Sequence, residues 1–339
     1  MKSMNDNADT KTRNQTLIIV EGVLEKDTVL KLLSMCFPEM NLYLPNVHIY
    51  GTKIYDLYHM IEKEYGEDWF EQGMEINVPY LISKKLDIYP YMDRRLFTNI
   101  ILMFDYERHD ILYTDEKIIK MQKHFCNVSE DGILFINYPM IEALVHMDKI
   151  PDSTFLSKKI SVKLRPGKKY KNLAKYNSVI DKYFYTYKKI TGYLNEYVET
   201  AELDKVVADV LNYDNMMNVD MYIDGCLKEI NINQLQRNEL VHKIKAQLTK
   251  LEYLEENVSF WSKLREIIVY VAASNIQKAW NIQQKSIKEE NLKECYDELD
   301  LVKILEEQNE SSRNEENGYI WVLCTCIMFL GEYKFFWNR

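Results

Sequence analysis

The sequence predicts an α/β fold in its first half, a parallel sheet flanked by helices, followed by a mostly α-helical second half. Three observations carry that expectation. Four short apolar runs in the first 150 residues each precede a helical pattern, and beyond about Ile150 such runs give way to long helical periodicities. The 339 residues also include just 10 Gly and 7 Pro, too few for a turn-rich all-β architecture. With 47% apolar residues, the chain can bury real cores, which excludes disorder throughout.

The elements follow in order. Leu17-Ile18-Ile19-Val20 reads as a buried strand; after Glu21-Gly22 comes a helical pattern through Val29, Leu30, Leu32 and Leu33. Val47–Tyr50 leads through Gly51 into a helix carrying Ile54, Leu57, Met60 and Ile61. Ile100–Phe104 leads through Asp105 to a helix from about Thr114, and Ile133–Ile136 runs through Asn137-Tyr138-Pro139 into a further helix. Strands that are apolar on both faces belong to a helix-covered parallel sheet with right-handed crossovers. The stretch from Glu67 to Phe97 exceeds an ordinary connection and is expected to hold extra helices. In the second half Leu235, Leu240, Ile244, Leu248, Leu251 and Leu254 mark a long helix. The expected organisation is a flexible lead-in over 1–15, an α/β domain over 16–150, a basic, Tyr-rich connecting segment over 151–190 and a helical domain over 191–339.

The net charge of −9 argues against a generally basic nucleic-acid coat, but the charge is uneven. Lys158 to Lys189 carries eleven basic residues against Asp181 alone, a local +10 that leaves −19 elsewhere; Glu289 to Glu316 is the most acidic stretch. Six cysteines without CxxC spacing fit reduced thiols and a cytoplasmic location. The apolar run Tyr319 to Leu330 has 12 residues, short of the roughly 20 needed to span a bilayer, and reads as a buried terminal helix or strand.

In an open parallel sheet, ligands bind beyond the carboxyl ends of the strands. Glu21 ends the first strand, Asp105 the third with Glu107 two residues on, and Glu142 lies just past the fourth. Gathered carboxylates repel one another unless a cation offsets the charge, so this pattern points to a divalent metal, Mg²⁺ or Mn²⁺, and to phosphodiester chemistry. The basic stretch adds Lys158, Lys159, Lys163, Arg165, Lys168, Lys169 and Lys171 as phosphate-binding candidates, with Tyr170 and Tyr176 as rings on which unpaired bases stack.

Leu17-Ile-Ile-Val-Glu21-Gly22-Val-Leu-Glu25, followed by Ile-Leu-Met-Phe-Asp105-Tyr-Glu107, resembles the Toprim domain, with its glutamate-glycine motif after the first strand and Asp-x-Asp motif after a later one. Phe135-Ile-Asn137-Tyr-Pro139-Met-Ile-Glu142 is similar to the Asn-Pro-x-x-Glu segment of standalone Toprim proteins of the RloB and abortive-infection kind. The resemblance covers residues 16 to 148. It implies a metal-dependent nuclease of anti-phage defence, often paired with an ABC-type ATPase and able to form homo-oligomers. It would make Glu21 a metal ligand or general acid/base and Asp105 and Glu107 metal ligands. Glu25 stands where OLD-type nucleases have a further acid, and Glu142 in the place of the acid on the last helix. The departure is Asp-x-Glu for Asp-x-Asp, which adds a methylene; Asp110 is a substitute for Glu107 if the loop turns back. A non-catalytic Toprim-fold assembly subunit is the alternative from another class.

Weaker signals complete the reading. Arg237-Asn-Glu-Leu-Val-His242 matches the Arg-x4-His pattern of HEPN ribonucleases, which would cut RNA without metal. His109 and His146 lie beside the acidic motifs as candidate proton carriers. Cys324-x-Cys326 reads as buried thiols rather than a ligand pair. Gly51-Thr52-Lys53 lacks the spacing of a phosphate-binding loop, so the chain itself does not look like an ATPase.

Overall fold

Strand β1 (Gln15–Val20) buries Leu17 through Val20 completely, so both of its faces are covered. It lies between β2 (Val47–Ile49) and β3 (Phe97–Asp105), and β3 pairs in turn with β5 (Gly132–Asn137), all four parallel. The computed structural model describes residues 15–165, 167–251, 256–285 and 291–338. The lead-in expected over 1–15 therefore lies, apart from Gln15, outside the described residues, as do Leu254, Glu289 and Glu290. All four expected strands are present. A fifth, β4 (Cys126–Asn127), pairs antiparallel with β5 at the sheet's edge, giving the order β2-β1-β3-β5-β4. Two residues carry no periodic signal, so β4 was not readable. Gly132 is required where β5 begins: its φ is +124°, and a Cβ there would lie 2.9 Å from Ile100 Cγ2.

After β1 a π-helical turn, Glu25–Leu30, continues into α1 (Lys31–Cys36). Helix α2 (Ile54–Tyr65) follows β2, and α3 (Val78–Lys85) occupies the long 67–97 stretch, started by the Asn77 side chain accepting from the Tyr80 N–H. Helix α4 (Asp115–His124) begins where expected because Thr114 caps it, accepting from the Lys117 N–H. After β5 the expected helix is only a 3₁₀ segment, Ile141–Val145. All five of its residues are buried, which leaves no solvent face along which an amphipathic helix could continue.

The second half is helical: α5 (Lys168–Lys175), α6 (Val179–Leu194), α7 (Thr200–Leu211), α8 (Val219–Cys226), α9 (Gln234–Leu248), α10 (Phe260–Gln284), α11 (Leu292–Asp297) and α12 (Leu301–Ser312). Of the expected α9 stripe, Leu240, Ile244 and Leu248 are buried, but Leu235 in the first turn is 78% exposed. The run at Tyr319–Leu330 becomes β7 (Tyr319–Trp321) and a 3₁₀ stretch, Cys326–Glu332. Strand β7 pairs antiparallel with β6 (Lys159–Ser161), far away in sequence. The backbones of Leu323 and Tyr138 exchange two 2.8 Å hydrogen bonds, and Thr325 Oγ1 donates to the Ile136 carbonyl at 2.8 Å. This C-terminal strip thus seals the carboxyl end of β5, where the loops of the α/β half converge. Among the described residues no helix is long and apolar enough to cross a membrane.

Candidate active site

The strand order reverses between β1 and β3: the chain leaves β1 for β2 on one side, then crosses back to β3 on the other. At such a switch point the loops diverge and leave a crevice beyond the strand ends. Glu21 and Asp105 occupy that crevice. Register makes them neighbours, since the Glu21 N–H donates to the Met103 carbonyl at 3.1 Å and the Asp105 N–H donates to Glu21 Oε2 at 3.1 Å. Glu107 joins from the loop after β3, where its backbone takes the left-handed conformation, φ +41°. A non-glycine residue there bears local strain of a kind that clusters at functional sites. One carboxylate oxygen from each of Glu21, Asp105 and Glu107 lies within 4.8 Å of the other two.

Asp105 is 5% exposed, and its Oδ1 accepts the Ile141 N–H at 2.8 Å. Burial, then repulsion from Glu21, Glu25 and Glu142, push its carboxyl well above the usual range. Burial is also the main cause at Glu21, opposed by the Asp105 N–H and reinforced by Glu107 and Glu25, and its pKa is pushed up to about 8. Glu25 is raised as well, by burial and then by Glu142. Several acids are therefore held where their own charges resist them. A hard divalent cation relieves that conflict, and an all-carboxylate donor set suits Mg²⁺ or Mn²⁺ rather than a soft metal.

Glu25 and Glu142 form a deeper group beside Asp105. Glu142 is 2% exposed; its Oε1 pairs with Lys171 Nζ at 3.2 Å, and its Oε2 is buried without a hydrogen-bond partner among the described residues. Burial opposes the Lys171 charge, but Glu142, Asp105 and Glu25 together outweigh it and the ammonium stays above its ordinary pKa. Lys53, at the start of α2, was not singled out in the sequence. It reaches Asp110 at 2.5 Å and Glu107 at 3.5 Å. Its place after β2 is itself a strand-end position and was the available signal. Asn137 ends β5 and was missed as a wall residue; its Oδ1 accepts the Cys326 N–H at 3.3 Å. Nothing in the local sequence foretold that the buried Cys324-x-Cys326 strip would pack against Asn137 at the end of β5.

No family model, curated protein or solved structure matches the chain. The assignment of roles therefore rests on geometry.

Other expected residues are placed differently. Asp110 does not substitute for Glu107, because Lys53 and the Leu112 N–H engage its carboxylate. His146 faces Lys158, Asp148, Lys278 and Asp152 rather than the carboxylates, and its Nδ1 lies 3.2 Å from the Tyr170 hydroxyl. His109 is exposed on the loop, its pKa lowered by partial burial. Tyr170 is a correction: it is wholly buried under the 3₁₀ segment and offers no ring to a base. Tyr176 is 71% exposed. Lys158 is largely spent on the His146 carbonyl and Asp152, Lys159 lies over the Tyr319 ring, and Lys163 pairs with Glu316. Arg165, Lys168 and Lys169 are exposed. Arg237 and His242 are five positions apart on α9, about 140° around a helix of 3.6 residues per turn, so their side chains leave on different faces. His242 lines an open surface depression with Asp220 and Lys245, while Arg237 donates to the Lys228 carbonyl.

Proposed function

We propose that this chain is a Mg²⁺- or Mn²⁺-dependent nuclease of the Toprim kind. The observation that carries the reading is the convergence of Glu21, Asp105 and Glu107 within 4.8 Å at the switch point of a parallel sheet. A cation held there would neutralise charge on a scissile phosphate and favour attack by water. Two backbone N–H groups fix the ligand set, one aiming Glu21 and the other Asp105, so little reorganisation is needed on binding. Glu21, raised to about 8 chiefly by burial, would give up its proton as the cation binds and serve as an ionised ligand. Arg165, Lys168 and Lys169, exposed just before and at the start of α5, would supply cations for the strand's phosphates. A role in anti-phage defence, with an ABC-type ATPase as partner, follows from the resemblance of the Glu21-Gly22, Asp105-x-Glu107 and Asn137–Glu142 motifs and is part of the proposal.

The test is incubation of the purified chain with tRNA, single-stranded DNA and duplex DNA, in Mg²⁺, Mn²⁺ or chelator. Cleavage of at least one substrate is expected with metal alone, and Glu21→Gln and Asp105→Asn should each lower it by about a thousandfold or more. Undiminished cleavage in both variants, or cleavage that survives the chelator, would overturn the reading.

A further inference from the structure

A partly open cavity of about 270 Å³ lies beside the acidic crevice, between the 3₁₀ segment Ile141–Val145, the turn before α1 and the helix α6. The two share walls. Ile141, whose N–H holds Asp105, lines the cavity, and so does Leu24, which lies between Glu21 and Glu25 in sequence. Leu144, Val29 and Phe184 complete the apolar wall.

Four charged residues line this space: Glu142, Lys175, Asp181 and Lys188. The Oε2 of Glu142 is a buried acceptor without a hydrogen-bond partner among the described residues; such atoms cost about 1–3 kcal/mol when left unsatisfied. Lys175 and Lys188 stand at the opposite side, each exposed at one end; Lys175 is 4.0 Å from Asp181. Burial, then repulsion from Lys175, holds the Lys188 ammonium below its ordinary pKa. Since Lys171 already neutralises Glu142, the remaining balance at the mouth is two lysines against Asp181. The cavity lining thus combines a buried carboxylate, apolar side chains and two exposed lysines.

We infer that this cavity holds one unpaired nucleotide of the substrate strand, its base in the apolar slot with a ring N–H or amino group donated to Glu142 and its phosphate between Lys175 and Lys188. The volume falls just under the roughly 300 Å³ at which ligand pockets begin, so it suits at most one nucleotide unit and not a duplex. A base taken out of its stack is read by such a combination of apolar walls and one polar edge contact. This deepens the nuclease reading and rests on it for the meaning of a substrate strand, but binding is measurable without catalysis.

The experiment is calorimetric titration of the intact chain, in chelator, with the four ribonucleoside 5′-monophosphates, using ribose 5-phosphate as the base-free control. At least one nucleotide should bind about tenfold or more tightly than ribose 5-phosphate, and the Lys175→Glu/Lys188→Glu variant should lose about tenfold of that affinity. Lys175→Gln/Lys188→Gln, which adds no acid beside Asp181, should lose affinity in the same direction, and thermal melts check that the Lys175→Glu/Lys188→Glu variant keeps its fold. In the cleavage assay the same variant should raise KM with kcat within about twofold. Equal affinity for ribose 5-phosphate, no binding at all, or an unchanged KM in an actively cleaving variant would each overturn the inference. Nucleotide binding in a chain that cleaves nothing would support the pocket while refuting the nuclease reading.

Discussion

Glu107 and Glu142 are both glutamates that loops add beyond the sheet on either side of Asp105, yet their surroundings differ. Glu142 is buried and has its own cation, Lys171, at 3.2 Å. The Glu107 side chain is 27% exposed, and the lysine nearest to it, Lys53, lies 3.5 Å away and sits closer to Asp110, at 2.5 Å. One side of Asp105 is thus neutralised from within the chain. The other gathers Glu21, Asp105 and Glu107 with, among the described residues, a single shared, solvent-facing lysine paired to them, and it is there that an added cation would gain most.

The largest expected effect tests that contrast directly. Removing a buried like charge while keeping its hydrogen-bond acceptor relieves repulsion. Asp105→Asn can retain the Ile141 N–H bond and should therefore raise the stability of the cation-free chain by about 1–3 kcal/mol. The parent should also gain stability with Mn²⁺, by about 2.7 kcal/mol when the ion is at a hundred times its dissociation constant. The variant should lose that gain. Thermal melts with and without Mn²⁺ measure both, and a variant that melts lower yet still responds to the ion would place cation binding elsewhere.

A smaller effect is expected on the self-neutralised side. Lys171→Met leaves Glu142 buried without its cation. Removing one partner of a fully buried pair costs about 3–5 kcal/mol; Lys171 is 46% exposed, so about 1–2 kcal/mol is expected here. Glu142→Gln introduced into the same chain should return most of that loss, because the unpaired charge is then gone. Urea unfolding of the two single variants and the double variant forms the cycle. Additive losses would show that the two side chains act independently and that the contrast with Glu107 does not depend on this pair.

The carboxylates were legible because strand ends are visible in sequence: a buried apolar run that stops at Glu21 or Asp105 announces where that side chain emerges. Glu107 followed from its two-residue offset. What was not legible depends on contacts distant along the chain. Lys171 meets Glu142 only because α5 folds over the 3₁₀ segment, and that packing buries Tyr170, whose lysine-rich neighbours made it look solvent-facing. The same applies to the C-terminal strip, since its apolar residues announce burial but not the β5 terminus as their partner. The α9 pattern failed at Leu235 because a first-turn residue can extend past the surface on which the rest of its stripe is buried.

The segment that begins with Ile141 and Glu142 at the acidic crevice ends at a buried His146 flanked by Lys158 and Lys278 as well as Asp148 and Asp152, and this sets up the smallest of the expected effects. Burial, then the nearby Lys158 ammonium, depresses the His146 pKa to about 4, against about 6.5 in an unfolded chain. The folded form refuses a proton that the unfolded form accepts. The associated stability is therefore complete above pH 6.5 and is lost as pH falls toward 4, amounting to about 1–2 kcal/mol between pH 7 and pH 5. His146→Gln removes the titrating ring and keeps a group able to bond the Tyr170 hydroxyl. Urea unfolding at pH 7 and pH 5 should then show a shallower decline in the variant than in the parent. Parallel declines would assign the acid sensitivity to other groups and deny His146 any share in how the two ends of this segment differ.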